Sequence, residues 1–264
     1  MPHKKENPTL ALALSGGAAR AIAMVGVLQA FEDAGIGIDA VAGTSAGSLV
    51  GALYLDGMGT DELARLAART KWRSLFVPGL SKTGLISSAG IYGFLKEHLN
   101  AATIEELPKP LAVVCADLVG GERVVLTSGP LARAVQASCS LPVIFTPTNF
   151  GGKMLIDGGY VSQVPVIAAR ELGAKVVVAV DVNYNAARPA LTNVVGISLH
   201  LAQMIARRNA DAELPLADVV ISVDVRGIQL YDIKKHAELI RRGRKAAGEK
   251  MGDIIRALER AGRG

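Results

Sequence analysis

Gly43-Thr44-Ser45-Ala46-Gly47 lies between an apolar run, Ile38 to Ala42, and a helix-forming run, Ser48 to Leu55. A G-x-S-x-G at a strand-to-helix turn lifts its serine to the exposed tip, beside the positive end of a helix dipole. Gly43 and Gly47 let neighbouring backbone pass close to that turn. Small residues at 43, 47 and 51 also suit plain helix packing, so the pentapeptide alone leaves chemistry and packing both open.

A serine hydroxyl is a weak nucleophile until a partner takes its proton. The four histidines, His3, His98, His200 and His236, fall in the N-terminal tail and on expected helices, and read as surface or packing residues. None ends a strand, so an ordinary Ser-His-Asp triad is not offered. A carboxylate remains, and burial can raise its pKa into the range of a working base. Asp117, Asp157, Asp181 and Asp224 each close an apolar strand, where ligands gather in open α/β sheets. Asp157 is set apart by Gly158 and Gly159, which allow a tight turn that holds the carboxylate in the open. Asp181 ranks next, Asp117 and Asp224 read as loop or cap residues, and an ordinary turn at Asp157 stays open.

A third part follows the first strand, in Ser15-Gly16-Gly17-Ala18-Ala19-Arg20. Backbone N–H groups of Gly16, Gly17 and Ala18 at a helix start form an oxyanion or phosphate site. The run is not G-x-G-x-x-G and no G-K-[ST] follows it, so dinucleotide and P-loop readings are weak. Arg20 either orients this loop, meets an anionic headgroup, or is a surface arginine on the first helical turn.

The elements that must position these groups alternate. Strands are expected at Thr9–Leu14, Ile38–Ala42, 111–117, 123–127, 153–156, 175–180 and 219–223. Helices are expected after Arg20, after Ser45, from Thr60, over 91–99, over 131–137 with Ser128 as a cap, over 165–172, before Glu213, and from Asp232 to about Leu258. The first of these carries Ile22, Val25, Leu28 and Phe31 on one stripe. Thr103 and Glu106 form a capping-box pattern. Residues 138–150 look irregular, with Pro142 and Pro147 fixing them. Residues 74–90 read as a loop with exposed hydrophobics, a lid or a substrate-contacting patch, or else as an irregular segment packed on the core. Continuous apolar strands imply a mostly parallel sheet covered on both faces, with one antiparallel hairpin at Gly120-Gly121. The expected fold class is therefore α/β, in one domain over 1–264, with a short tail over 1–8 and the end of the last helix over 249–264.

Half of the 264 residues are hydrophobic, and the mean hydropathy is +0.33. No stretch reaches the length of a membrane span, and Leu10 to Leu14 is too short for a signal-peptide core. The expected location is cytoplasmic, with peripheral contact at a membrane surface. Cys115 and Cys139 lack C-x-x-C spacing, so neither a disulfide framework nor a zinc site is expected, and both read as buried small hydrophobes; the sequence offers no cofactor. The net charge of +5 and pI near 9.3 suit anionic surfaces, although Arg241 to Lys245 also fits a solvated helix face. Aromatics are 4% of residues and none interleave with basic runs, so nucleic acid is not an expected partner.

Together these pieces resemble the patatin-like phospholipase family, in its bacterial branch, over most of the chain from about Leu10 to Gly248. The Ser15–Arg20 run is similar to the family's glycine-rich oxyanion loop, with Gly26-Val27-Leu28 at the family's distance. Gly43–Gly47 is similar to its nucleophile motif, Ala137-Ser138-Cys139-Ser140-Leu141-Pro142 to the segment before its second motif, and Asp157-Gly158-Gly159 to that motif. Gly173-Ala174 fits the bacterial branch. The resemblance implies a three-layer α/β/α sandwich and a Ser-Asp dyad, with Ser45 as nucleophile and Asp157 as base. It also implies an oxyanion hole from Gly16, Gly17 and Ala18, and no metal. The chain departs at Ala18 and Ala21, where the family often has glycine, and at Met24, where it often has histidine. Ala18 keeps its N–H, and the hole survives if its φ stays negative.

The expected function is hydrolysis of lipid or lysophospholipid acyl esters through an acyl-enzyme. The alternatives are a non-catalytic acyl-lipid-binding or regulatory protein using the same cleft, and an anion- or nucleotide-binding α/β protein built on the Gly16-Gly17 loop. Chain length, headgroup and oligomeric state are not fixed by the sequence.

Overall fold

The fold is described from a computed structural model, which covers residues 9–70, 77–78, 85–187 and 191–262. The tail over 1–8 and most of the segment over 74–90 lie outside the described residues. Ten strands are present among the described residues: β1 Leu10–Leu14, β2 Ala40–Thr44, β3 Val77–Pro78, β4 Ile86–Ser87, β5 Leu111–Asp117, β6 Arg123–Leu126, β7 Thr148–Phe150, β8 Lys153–Asp157, β9 Val176–Asp181 and β10 Val219–Ser222. The α-helices are α1 Ala23–Asp33, α2 Ala46–Leu55, α3 Thr60–Arg69, α4 Ala89–His98, α5 Leu131–Ser138, α6 Val166–Glu171, α7 Val194–Glu213 and α8 His236–Gly262.

Eight strands form one sheet in the order β10-β9-β1-β2-β5-β8-β7, with β6 also on β5. β1 reads Leu-Ala-Leu-Ala-Leu, and every residue of it is buried. A strand's side chains alternate between faces, so Leu10, Leu12 and Leu14 enter one core and Ala11 and Ala13 the other. The leucine face is covered by α1 to α5 and α8, and the alanine face by α6 and the end of α7. Small side chains on the second face bring α6 close to the sheet, giving three unequal layers.

The sheet departs from expectation at its β5 end. Besides the β5–β6 hairpin, β8 pairs antiparallel with both β5 and β7, so the antiparallel portion is larger than one hairpin. β7 lies within the stretch expected to be irregular. Ser128 does not cap α5, whose N-cap is Pro130. Thr103 and Glu106 do form the capping box, but over a single 3-10 turn, Ile104–Glu106. In the 74–90 segment, β3 and β4 pair as a separate two-stranded ribbon, and Leu85 is exposed.

The register of β5 positions the site. β2 pairs with Leu111 to Val114 and β8 with Cys115 to Asp117, while β6 pairs with Val113 to Ala116. Since β6 overlaps both partners, it occupies the opposite edge of β5, and β2 and β8 share one edge. β2 runs parallel to β5 and stops at Thr44 opposite Val114; β8 runs antiparallel and stops at Asp157 opposite Cys115. The two chains therefore arrive head-on, and the next residue of β2 is Ser45.

Candidate active site

At the end of β2 the backbone turns sharply, and Ser45 adopts φ 51°, ψ −127°. Such a positive φ costs a non-glycine residue about 1–2 kcal/mol and persists only where surrounding contacts impose it. Those contacts are visible. The Ser45 N–H donates to Ser138 Oγ at 2.8 Å, and the Ser138 hydroxyl donates to the Val114 carbonyl at 2.6 Å. Thr44 Oγ1 donates to the Ser162 carbonyl at 2.8 Å. A Cβ at Gly43 would lie 2.5 Å from Ser48 Cα, and one at Gly47 would strike the carbonyl oxygens of Leu14 and Ser15. Both glycines of the motif are thus required by close backbone approach.

Asp157 ends β8, and its N–H donates to the Ser140 carbonyl at 3.0 Å. Its Oδ1 accepts the Gly159 N–H at 2.8 Å. A Cβ at Gly158 would strike the Val114 carbonyl, and one at Gly159 would lie 2.7 Å from Gln163 Oε1. Burial pushes the Asp157 carboxyl up to about 6, against the hydrogen bonds of the Ser45 hydroxyl and the Gly159 N–H, which pull it down. The other three strand-end carboxylates are each held by a cation: Asp117 by Lys153 at 3.2 Å, Asp181 by Arg207 at 2.9 Å, and Asp224 by Arg226 at 2.5 Å. Hydrogen bonds from Arg226 hold Asp224 down to about 2. Among the described residues, Asp157 alone of the four faces Ser45 with no cation beside it.

The loop after β1 brings its backbone to the same place. The carbonyl of Gly16 accepts Gln163 Nε2 at 3.1 Å and Asn183 Nδ2 at 2.6 Å. Its N–H donates to the Gln163 carbonyl at 3.2 Å, which corrects the expectation that this N–H joins the oxyanion cluster. The amides of Gly17 and Ala18 have no acceptor among the described residues and precede a 3-10 turn, Ala18–Ile22. A second correction concerns Ala18, whose φ is 48° and not negative; its amide is left without an acceptor among the described residues all the same, so a negative φ is not the condition for it to serve as a donor. The family's glycine would take this conformation without strain; the alanine takes it under the grip of Ala19 N–H on the Leu230 carbonyl, 2.9 Å.

Arg20 is no surface residue. It is fully buried, with Nε donating to the Ile228 carbonyl at 3.0 Å and Nη1 to Asn183 Oδ1 at 3.3 Å. Nη2 is buried without a partner. Desolvation lowers the guanidinium's pKa and nearby Asp232 raises it.

Ser45, Asp157 and Arg20 open on one cavity of about 770 Å³, within the range of about 300–1,000 Å³ usual for small-molecule sites. Away from the polar end its walls are apolar, including Leu49, Leu53, Leu66, Ile91 and Phe94. His200, expected as a surface or packing residue, lines the cavity from α7, and its Nδ1 is buried without a partner. No described histidine is hydrogen-bonded to Ser45 or Asp157. Among the described residues no three His, Cys, Asp or Glu side chains converge on one point. A nucleophilic alcohol beside a buried, cation-free carboxylate, with unoccupied amides opposite, can carry out acyl transfer.

The model of the patatin-like phospholipase family matches residues 12–170. The chain belongs to this family. An uncharacterized NTE family protein of Mycobacterium tuberculosis is 34% identical over 187 residues, covering 70% of this chain and 52% of that protein. The human patatin-like phospholipase domain-containing protein 6 is 36% identical over 191 residues, covering 66% of this chain and 13% of that protein. The match thus spans about half the length of the mycobacterial relative and far less of the human one. Among solved structures, VipD from Legionella pneumophila gives a TM-score of 0.53 at 16% identity over 97% of this chain and 67% of VipD. Human GIVD cytosolic phospholipase A2, solved with a fluorophosphonate inhibitor, gives 0.53 at 13% identity over 97% and 60%. These likenesses establish the patatin-like fold. Ser45 and Asp157 lie within the family-matched stretch; Asn183, Arg207 and Ile228, which close the site, come after it.

Sequence reasoning missed Ser138, Gln163 and Asn183. Ser138 stood in the quoted Ala137–Pro142 segment, but neither Gln163 nor Asn183 belonged to any pattern.

Proposed function

We propose that this patatin-like protein is a serine acyl hydrolase acting on lipid or lysophospholipid acyl esters through a Ser45–Asp157 dyad. The observation that carries the reading is the head-on meeting of β2 and β8 along one edge of β5, which sets the Ser45 hydroxyl against a buried carboxylate. Ser45 Oγ attacks the ester carbonyl as its proton passes to Asp157. The oxyanion takes hydrogen bonds from the Gly17 and Ala18 amides; each such donor is typically worth about 3 kcal/mol in the transition state. The tetrahedral intermediate collapses, the carbon–oxygen bond to the alcohol breaks, and Asp157 returns its proton to the leaving oxygen. Asp157 then takes a proton from water, whose oxygen attacks the acyl-enzyme, and the fatty acid leaves as Ser45 recovers its proton.

The apolar cavity suits an acyl chain. Arg20, with one nitrogen unsatisfied beside the loop, suits the loop-orienting role and contact with an anionic group of the substrate. The second motif's Gly158 and Gly159 hold the Asp157 turn, as Gly43, Gly47 and Gly16 hold the opposite side. Hydrolysis of p-nitrophenyl butyrate tests the proposal. Ser45→Ala is expected to lose at least about a thousandfold in kcat while melting as the wild type does. Undiminished hydrolysis by Ser45→Ala rejects it, and saturable fatty-acid binding with no turnover on any ester favours the binding-protein alternative.

A further inference from the structure

We infer that the outer face of α7 is the surface on which this protein lies against an anionic lipid membrane. The inference rests on the lipid acyl hydrolase reading above and adds how the substrate's surface is met. From Val194 to Ala206 the helix carries no Asp, Glu, Lys or Arg. Val194, Ile197, Leu201, Met204 and Ile205 are exposed, Val194 at 74% and Leu201 and Met204 at 53%. At about 100° per residue these five positions fall within about 100° of arc, and Arg208 falls inside the same arc. An apolar stripe of that width ordinarily faces a core; here it faces outward.

The inward side of the same helix decides what covers it. Leu199, His200 and Gln203 line the cavity that holds Ser45, and Met204 both lines it and is exposed. Asn209 Nδ2 donates to the Gly159 carbonyl at 3.1 Å, so the helix is tied to the Asp157 turn itself. α7 is thus the wall between the cavity and the outside. Two loops bordering the cavity expose tyrosines, Tyr231 at 71% and Tyr184 at 46%, and tyrosine rings settle at the headgroup level of a bilayer.

The charges favour an anionic surface. Arg208, in the stripe, and Lys234, next to cavity-lining Ile233, have no ion-pair partner among the described residues. Of the carboxylates on α7, Asp211 is held by Arg207, and Glu213 is buried and accepts the Ile167 N–H at 3.0 Å. A second copy would bring the same cationic rim against itself across a two-fold axis, whereas anionic headgroups complement it and let Arg208 lie along the stripe with its charge in the headgroups.

The test uses the full chain carrying Ser45→Ala, so that binding is read without turnover, and vesicles of phosphatidylcholine alone or mixed equally with phosphatidylglycerol. The expected result is co-sedimentation with the mixed vesicles. Adding Ile197→Asn with Leu201→Gln should lower the partition coefficient roughly tenfold or more with an unchanged melting temperature. Lys234→Gln should weaken binding to mixed vesicles and leave phosphatidylcholine unaffected. Unchanged partition in the Ile197/Leu201 variant overturns the proposal, as does a dimer in size-exclusion light scattering that the same variant dissolves. Hydrolysis of p-nitrophenyl butyrate by the Ser45 protein is measured alongside, so a failed docking surface and a failed hydrolase reading give different results.

Discussion

Asp157 is a buried acid with no cation to stabilise its charge, and the consequence has a definite sign. Its folded pKa, about 6, lies above its value in an unfolded chain, near 3.9. On the proposed mechanism Asp157 must be ionised to take the Ser45 proton, so kcat/KM is expected to rise with pH through about 6 and then level. The folded state binds the proton more tightly than the unfolded state, so stability from this group falls as pH rises from about 4 to 6 and stays low above. Asp157→Asn is therefore expected to abolish turnover while raising stability at pH 8 by roughly 1–3 kcal/mol, with little change at pH 4. Paired melts at the two pH values check this; an Asp157→Asn protein less stable than wild type at pH 8 would contradict it. Ser45 and Asp157 were legible because glycines flank them in short patterns. Ser138, Gln163 and Asn183 were not, since each acts on a backbone group 93, 147 or 167 residues away, and nothing local marks a serine or amide for such a contact.

Among the elements, those with a strong apolar signal were read well and the short ones were not. β1, β5 and β9 are wholly buried, so their sequences are continuous apolar runs with little choice of structure. β7 has three residues and follows Pro142 and Pro147, whose fixed φ suggests irregular chain. That omission hid the β7–β8 hairpin, which delivers Asp157 to β5. Helix packing was hidden in a different way. α1 and α8 cross where Gly26 faces the Ile240 carbonyl and Gly243 faces the Ala23 carbonyl, with no room for a Cβ at either glycine. In the sequence Gly26 belongs to a motif and Gly243 to a basic run, and neither context marks a helix crossing. Gly243→Ala is expected to force the helices apart and cost about 2 kcal/mol or more, seen as a lower urea midpoint; an unchanged midpoint would mean that the crossing yields freely.

At the scale of the molecule, the alternation of large and small residues along the central strands sets two unequal layers around one sheet. That pattern, together with the motif order, made the α/β class legible. The larger antiparallel end was not, because strand direction depends on how the chain returns and not on strand composition. The site draws on the loop after β1, the turn after β2, the end of β8, and the segments around 183, 207 and 228. It works only if the whole fold closes around Ser45. The most direct test is peptide mass spectrometry after treatment with a fluorophosphonate ester at pH 8. A single adduct on Ser45 is expected, absent in Ser45→Ala and formed at least about a hundredfold more slowly in Asp157→Asn. An adduct on another serine, or labelling of Ser45 at the wild-type rate without Asp157, would contradict it.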